Sequence, residues 1–172
     1  MKIRLYENDI AMAEEIAGQR TKNGPKTVAL APDRDLTGAM GEIAFERLTG
    51  LKMDDEVYIT GDLGYDFVLY AREEAPEHYP HVMTIDVKSR SDYPQHLGIN
   101  YPPVFKADIY VLCVASEKEV DFIGWTTSVA FLLWGSKVMF GKREQWGIKM
   151  GMLWDMKQLT DRIDKVKVLE GV

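Results

Sequence analysis

Val82-Met83-Thr84-Ile85-Asp86-Val87-Lys88 reads as a β-strand that carries two charges on one side. Its β-branched residues favour a pleated, partly buried surface. Successive side chains on a strand leave opposite faces, so Asp86 and Lys88, two apart, leave the same one. Working outward, Val57 to Thr60 and Tyr65 to Tyr70 also read as strands, and Gly61-Asp62-Leu63-Gly64 is a turn that makes them a hairpin. Downstream, Asp108 to Ala115 and Val120 to Trp125 are a fourth and a fifth strand, with Ser116 to Glu119 between them.

Helical spacing brackets these strands. Asn8 or Asp9 can cap a first helix through about Arg20, with Ile10, Ala13 and Ile16 on one stripe, and Gly24-Pro25 ends it. A second helix is expected from about Leu36 to Leu48, where Met40, Ile43, Ala44 and Leu48 recur at helical spacing before Gly50. Thr127 or Ser128 can cap a short helix over Val129 to Trp134. Gly151 to Trp154 is expected as a short strand and Met156 to about Ile163 as a last helix. The order describes a single α/β domain over residues 1–172, a mixed central β-sheet flanked by helices.

Composition bounds the function. The 172 residues are 46% hydrophobic and 28% charged, values of a globular chain and not of a disordered one. The single Cys113 lies in the apolar run Ile109 to Val114, which excludes an internal disulfide and a zinc ribbon and points to a buried hydrophobe in a reducing compartment. No apolar stretch reaches membrane-spanning length, so a cytoplasmic protein is expected. Net charge is -6, but residues 54–77 alone carry -7, which leaves the rest at +1, and residues 137–149 carry +3. An acidic cluster beside basic flanks is the charge layout of a metal site that acts on a polyanion, although a solvated basic surface gives the same counts.

Four side chains carry the chemistry. Asp66 falls within a strand, where acids are disfavoured, and Asp86 and Lys88 share a face of the next one. Glu42 lies on the preceding helix beside Gly38 and Gly41, which each cost helix stability by about 1 kcal/mol against alanine and permit close helix-to-sheet approach. Three carboxylates gathered at a sheet end repel one another unless a cation joins them, and such hard oxygen ligands suit Mg²⁺ or Mn²⁺. A lysine beside a cation can also have its pKa lowered toward useful values. Each residue has a plain structural reading too: an exposed Asp86–Lys88 ion pair, Asp66 paired with Arg72, Glu42 beside Glu46 or Arg47 on a solvated helix face. His78 and His81 fall in a stretch that reads as a solvated loop, and His96 is a third possible ligand.

Taken together, Gly38-Ala39-Met40-Gly41-Glu42, Gly61-Asp62-Leu63-Gly64-Tyr65-Asp66 and Ile85-Asp86-Val87-Lys88 resemble the PD-(D/E)XK nuclease superfamily, especially its small phage and prokaryotic members. The resemblance covers about residues 36–115 and implies a restriction-endonuclease-like core. It implies that Asp66 and Asp86 bind Mg²⁺, with Mn²⁺ able to substitute, together with the main-chain carbonyl of Val87. By the same resemblance Lys88 positions or activates the attacking water, and Glu42 completes the metal shell directly or through water. Tyr65 stands where the family has proline, and Pro94, Pro102 and Pro103 interrupt the link in which the family usually has a crossover helix.

The expectation is a Mg²⁺-dependent nuclease acting on DNA, single- or double-stranded, and the resemblance implies a homodimer. Arg90, Lys106, Lys142 and Arg143 are its candidate phosphate contacts. Two other classes stay open: a non-catalytic nucleic-acid- or protein-binding module of the same fold, and an acidic mimic of DNA. No phosphate-binding loop, nucleophile elbow or paired-histidine zinc motif competes.

Overall fold

The computed structural model describes residues 1–23, 32–53, 64–71 and 81–170. Their elements, in chain order, are β1 (Lys2–Arg4), α1 (Glu7–Asn23), α2 (Pro32–Thr49), β2 (Phe67–Ala71), β3 (His81–Arg90) and β4 (His96–Asn100). There follow β5 (Ile109–Ser116), β6 (Glu119–Thr127), α3 (Ser128–Trp134), β7 (Ser136–Phe140), β8 (Arg143–Lys149) and α4 (Met156–Glu170).

The fold is mixed α/β, as the element order implies. One sheet runs β1-β6-β5-β3-β2, with β3 and β5 parallel and every other neighbour antiparallel. A second sheet runs β4-β8-β7. The centre of the large sheet is covered on both sides, which is why β5 is buried over seven consecutive residues, Ile109 to Ala115. Its Ile109, Val111, Cys113 and Ala115 join a core with α2 and α4, whereas Tyr110 and Leu112 join another with Leu97 and Ile99 of β4, Ile148 of β8 and Phe131 of α3. The layers are therefore helices, large sheet, small sheet. Phe45 of α2 packs on Phe67 and Phe122 at centroid separations of 4.9 and 6.0 Å. Burial of each such ring is worth about 1.5–3 kcal/mol.

Several boundaries differ from the sequence expectations. α1 begins at Glu7 because Asp9 acts from inside the first turn, its carboxylate accepting the Tyr6 N–H at 2.7 Å. α2 starts at Pro32, since a proline's fixed φ suits a first turn and its missing N–H would have had no partner there. Thr127 caps α3 as read, its hydroxyl accepting the Ala130 N–H at 3.2 Å. The link after β3 holds no helix between Ser91 and Asp108; β4 and irregular chain occupy it. The basic stretch 137–149 belongs to a hairpin, β7 and β8, with Gly141 at φ 59° in its turn. Residues 151–154 form no strand: a 3-10 turn, Met150–Met152, precedes a single bridge between Trp125 and Trp154. α4 continues past Ile163 to Glu170. The expected strand over 57–60, and with it the hairpin to β2, lies outside the described residues. No described helix is long and apolar enough to cross a membrane.

Candidate active site

β3 is longer than its antiparallel neighbour. β2 pairs with it from Ala71 opposite His81 to Phe67 opposite Ile85, while β5 accompanies it on to Arg90. Asp66 therefore does not sit in mid-strand as its neighbours suggest; it directly precedes β2. Its backbone N–H donates to the Ile85 carbonyl at 2.8 Å, and its Oδ2 accepts the Val87 N–H at 2.6 Å. A side-chain carboxylate thus stands where the next ladder acceptor would be, which explains how an acid is tolerated here.

The charged pair on β3 leaves on the face toward the small sheet, where its register partners on β5 are Tyr110 and Leu112. Lys88 Nζ stands 2.6 Å from Asp86 Oδ2, with Asp86 buried and the lysine side chain 42% exposed. The plain reading of this pair as an ion pair is correct as far as it goes, but its acid is not at the surface.

Glu42 comes from α2. Gly41, next to it, lies against Ser89 and Cys113 with no space for a β-carbon, so the helix meets the sheet closely at this turn. Gly38 has only ordinary contacts, to Arg20 and to Glu42 itself, and is not needed for that approach. Glu42 is 5% exposed and gripped at both oxygens by the Arg20 guanidinium, at 2.8 and 2.6 Å. It does not pair along its own helix: Arg47 bonds Asp9, and Glu46 bonds Lys52.

These groups feel one another. Burial, then the charges of Glu42 and Asp86, push the Asp66 carboxyl well above the usual carboxylate range, against the Val87 N–H and Lys88. For Lys88, burial alone would lower the pKa, but the charge and hydrogen bond of Asp86, with Asp66 behind, outweigh it and hold the ammonium above its ordinary value. The lowering expected for a lysine beside a bound cation concerns the metal-loaded site, not these surroundings. Burial pushes the Cys113 thiol up to about 12, against its 3.1 Å contact with the Ser89 hydroxyl, so it is an inert core residue.

Among the described residues, no three carboxylate, imidazole or thiol side chains are already arranged to hold a metal. Lys88 occupies one oxygen of Asp86, Val87 one of Asp66, and Arg20 both of Glu42. The donor type still fits a hard cation: Asp66 is raised first by burial and then by the charges of Glu42 and Asp86, and a divalent ion relieves that repulsion. Binding through Asp86 Oδ2 requires Lys88 to release or share that oxygen.

The sequence-derived phosphate contacts separate. Arg90 and Arg143 line a cleft of about 500 Å³ between the end of β3, the first turns of α2 and the small sheet, and Lys88 also borders it. Arg90 additionally bonds Asp92 and lies 5.5 Å from the Phe140 ring. Lys142 is exposed at the β7–β8 turn. Lys106 packs its aliphatic stem on Gly64 and does not border the cleft. His96 lies in β4 beside the cleft; His81, expected in a loop, instead begins β3, and residue 78 lies outside the described residues. Arg20 went unread, although a signal existed: it continues the buried stripe of Ala13 and Ala17, at helical spacing.

The chain matches no protein-family model, no curated protein and no solved structure.

Proposed function

We propose that this protein is a Mg²⁺-dependent nuclease of the PD-(D/E)XK type, with a restriction-endonuclease-like core, that hydrolyses phosphodiester bonds in DNA. The observation that carries the reading is the meeting of Asp66 and Asp86 at the end of the β2–β3 ladder, with Lys88 bonded to the second acid. Asp66, Asp86 and the Val87 carbonyl would hold the ion. When bound, such an ion polarises a phosphate oxygen and acidifies a water. Lys88, bonded to Asp86 and half-exposed at the cleft, would orient that water and donate to the phosphate. Glu42 acts from behind, through water, because Arg20 fixes both of its oxygens.

A second reading has its own support. The acids are each held by protein groups, an arrangement that a non-catalytic nucleic-acid-binding module would also tolerate. The acidic-mimic reading rests largely on residues 54–63 and 72–77, outside the described residues. One assay separates the classes: incubation of single-stranded and duplex DNA with Mg²⁺, with Mn²⁺ and with EDTA. Cleavage that needs the metal and disappears in Asp86→Asn and Lys88→Met supports the nuclease. Binding without cleavage under every condition supports the module and ends the nuclease reading.

A further inference from the structure

The face of the small sheet that borders the cleft has a feature that hydrolysis does not explain. Asn100 of β4 and Gln145 of β8 are register partners, so their side chains leave the same face side by side, and both border the cleft. Neither side-chain amide has a hydrogen-bond partner among the described residues. Two glycines, Gly98 and Gly147, pair directly next to them and clear the floor. A β-carbon at Gly98 would stand 2.4 Å from Gln145 Oε1 and 2.9 Å from Phe140, so the amide lies across the strand only because that position is bare. Arg143 lies on the same face and is also without an ion-pair partner among the described residues. Arg34 faces it from α2 with the same freedom.

From this arrangement we infer that the cleft holds one unpaired nucleotide of a single-stranded DNA segment, with Asn100 and Gln145 reading its base edge. Side-chain amides offer a donor and an acceptor together, the pattern that matches base edges. Arginines at the rim supply the phosphate contacts that set register without reading sequence. A space of about 500 Å³ is that of a small-molecule site, enough for one nucleotide. Stacking is not the main device, because Arg90 already lies over the Phe140 ring and His96 meets its edge at 6.4 Å. The inference rests on the nuclease reading for its choice of DNA, since Lys88 borders the same cleft.

The test is fluorescence anisotropy in EDTA, where binding is measured without cleavage, using a fluorescein-labelled 12-nucleotide single strand of mixed sequence and the same sequence as a blunt duplex. The wild type is expected to bind the single strand at least about tenfold more tightly. Asn100→Ala and Gln145→Ala should each weaken that binding by about five- to tenfold, the range of a lost base contact, with little change in binding of the duplex. Gln145→Glu, close in size, should weaken it further, since a carboxylate repels phosphate and loses a donor. Melting curves matching the wild type show that the variants fold. Equal affinity for both forms, or wild-type binding by all three variants, overturns the inference. Single-strand binding that is sensitive to these variants, in a protein that cuts no DNA with Mg²⁺ or Mn²⁺, keeps it and removes the nuclease reading instead.

Discussion

A β-carbon at Gly41 would stand 1.8 Å from the Ser89 hydroxyl oxygen, 3.0 Å from Ser89 Cβ and 2.9 Å from Cys113 Sγ. The hydroxyl could rotate away, but Ser89 Cβ is fixed to the backbone of β3, and the fully buried Cys113 thiol is packed in the core. Gly41→Ala should therefore lose stability: overpacking costs about 1–3 kcal/mol, more than the helix gains from alanine, about 1 kcal/mol. At Gly38 the same change meets atoms no nearer than 3.8 Å and should stabilise by up to about 1 kcal/mol. Urea denaturation of the two variants checks the contrast. Equal effects would mean that α2 is not held to the sheet at Gly41.

Arg20 is the group that pairs with both oxygens of buried Glu42. Removing one member of a buried ion pair leaves the other unmatched and costs about 3–5 kcal/mol; Arg20 is one-third exposed, so about 3 kcal/mol is expected for Arg20→Met. Adding Glu42→Gln should recover most of that loss, because the stranded charge goes with it. Chemical denaturation of the single and double variants measures the coupling, and additive losses would contradict it.

How far such a site can be read from the chain depends on which forces place each residue. β3 and β5 were legible because Val, Ile and Thr mark them, and the shared side of Asp86 and Lys88 follows from strand alternation alone. Thr127 was legible because a cap is a local hydrogen bond. Asp66 was misplaced by one step, since where β2 stops pairing is decided by β3 and not by its own sequence. The small sheet was missed for a related reason. Its cleft face carries His96, Asn100, Arg143 and Gln145 with two glycines, and only contacts with the large sheet bury Leu97, Ile99 and Ile148. β1 is three residues long and exists through its pairing with β6.

The raised pKa of Asp66 has a consequence for stability. A carboxyl that ionises less readily folded than unfolded contributes stability that is complete below the ordinary Asp pKa, about 3.9, and lost as pH rises through its folded value. In EDTA, Asp66→Asn removes this loss, and its amide oxygen can still accept the Val87 N–H. The melting temperature of the variant relative to wild type should therefore rise as pH climbs above about 4 and level off once pH passes the folded pKa of Asp66. A gap that stays constant or narrows would show that burial and the charges of Glu42 and Asp86 do not raise Asp66. With millimolar Mn²⁺ at neutral pH the ranking should reverse, because the ion stabilises only the protein that retains its ligand.

Lys88 has two partners in prospect and one at hand. Its ammonium bonds Asp86 Oδ2 at 2.6 Å, so a cation approaching that oxygen meets a competitor of the same sign. Lys88→Met keeps the length of the side chain and removes the charge. In EDTA the variant should be less stable, since buried Asp86 loses a partner; half-exposure of the lysine limits the loss to about 1–2 kcal/mol. Mn²⁺ should then compensate more in the variant than in the wild type. Metal at ten times its dissociation constant adds about 1.4 kcal/mol, and the variant should reach that gain at a lower concentration. Cleavage should nevertheless be abolished, because the group that orients the water and meets the phosphate is gone. Thermal melts across a Mn²⁺ titration, paired with single-turnover cleavage at saturating metal, follow both effects. Tighter metal binding with no turnover separates the lysine's role from that of the acids. Undiminished turnover would remove Lys88 from the chemistry, and an unchanged Mn²⁺ response would show that its bond to Asp86 does not compete with the ion.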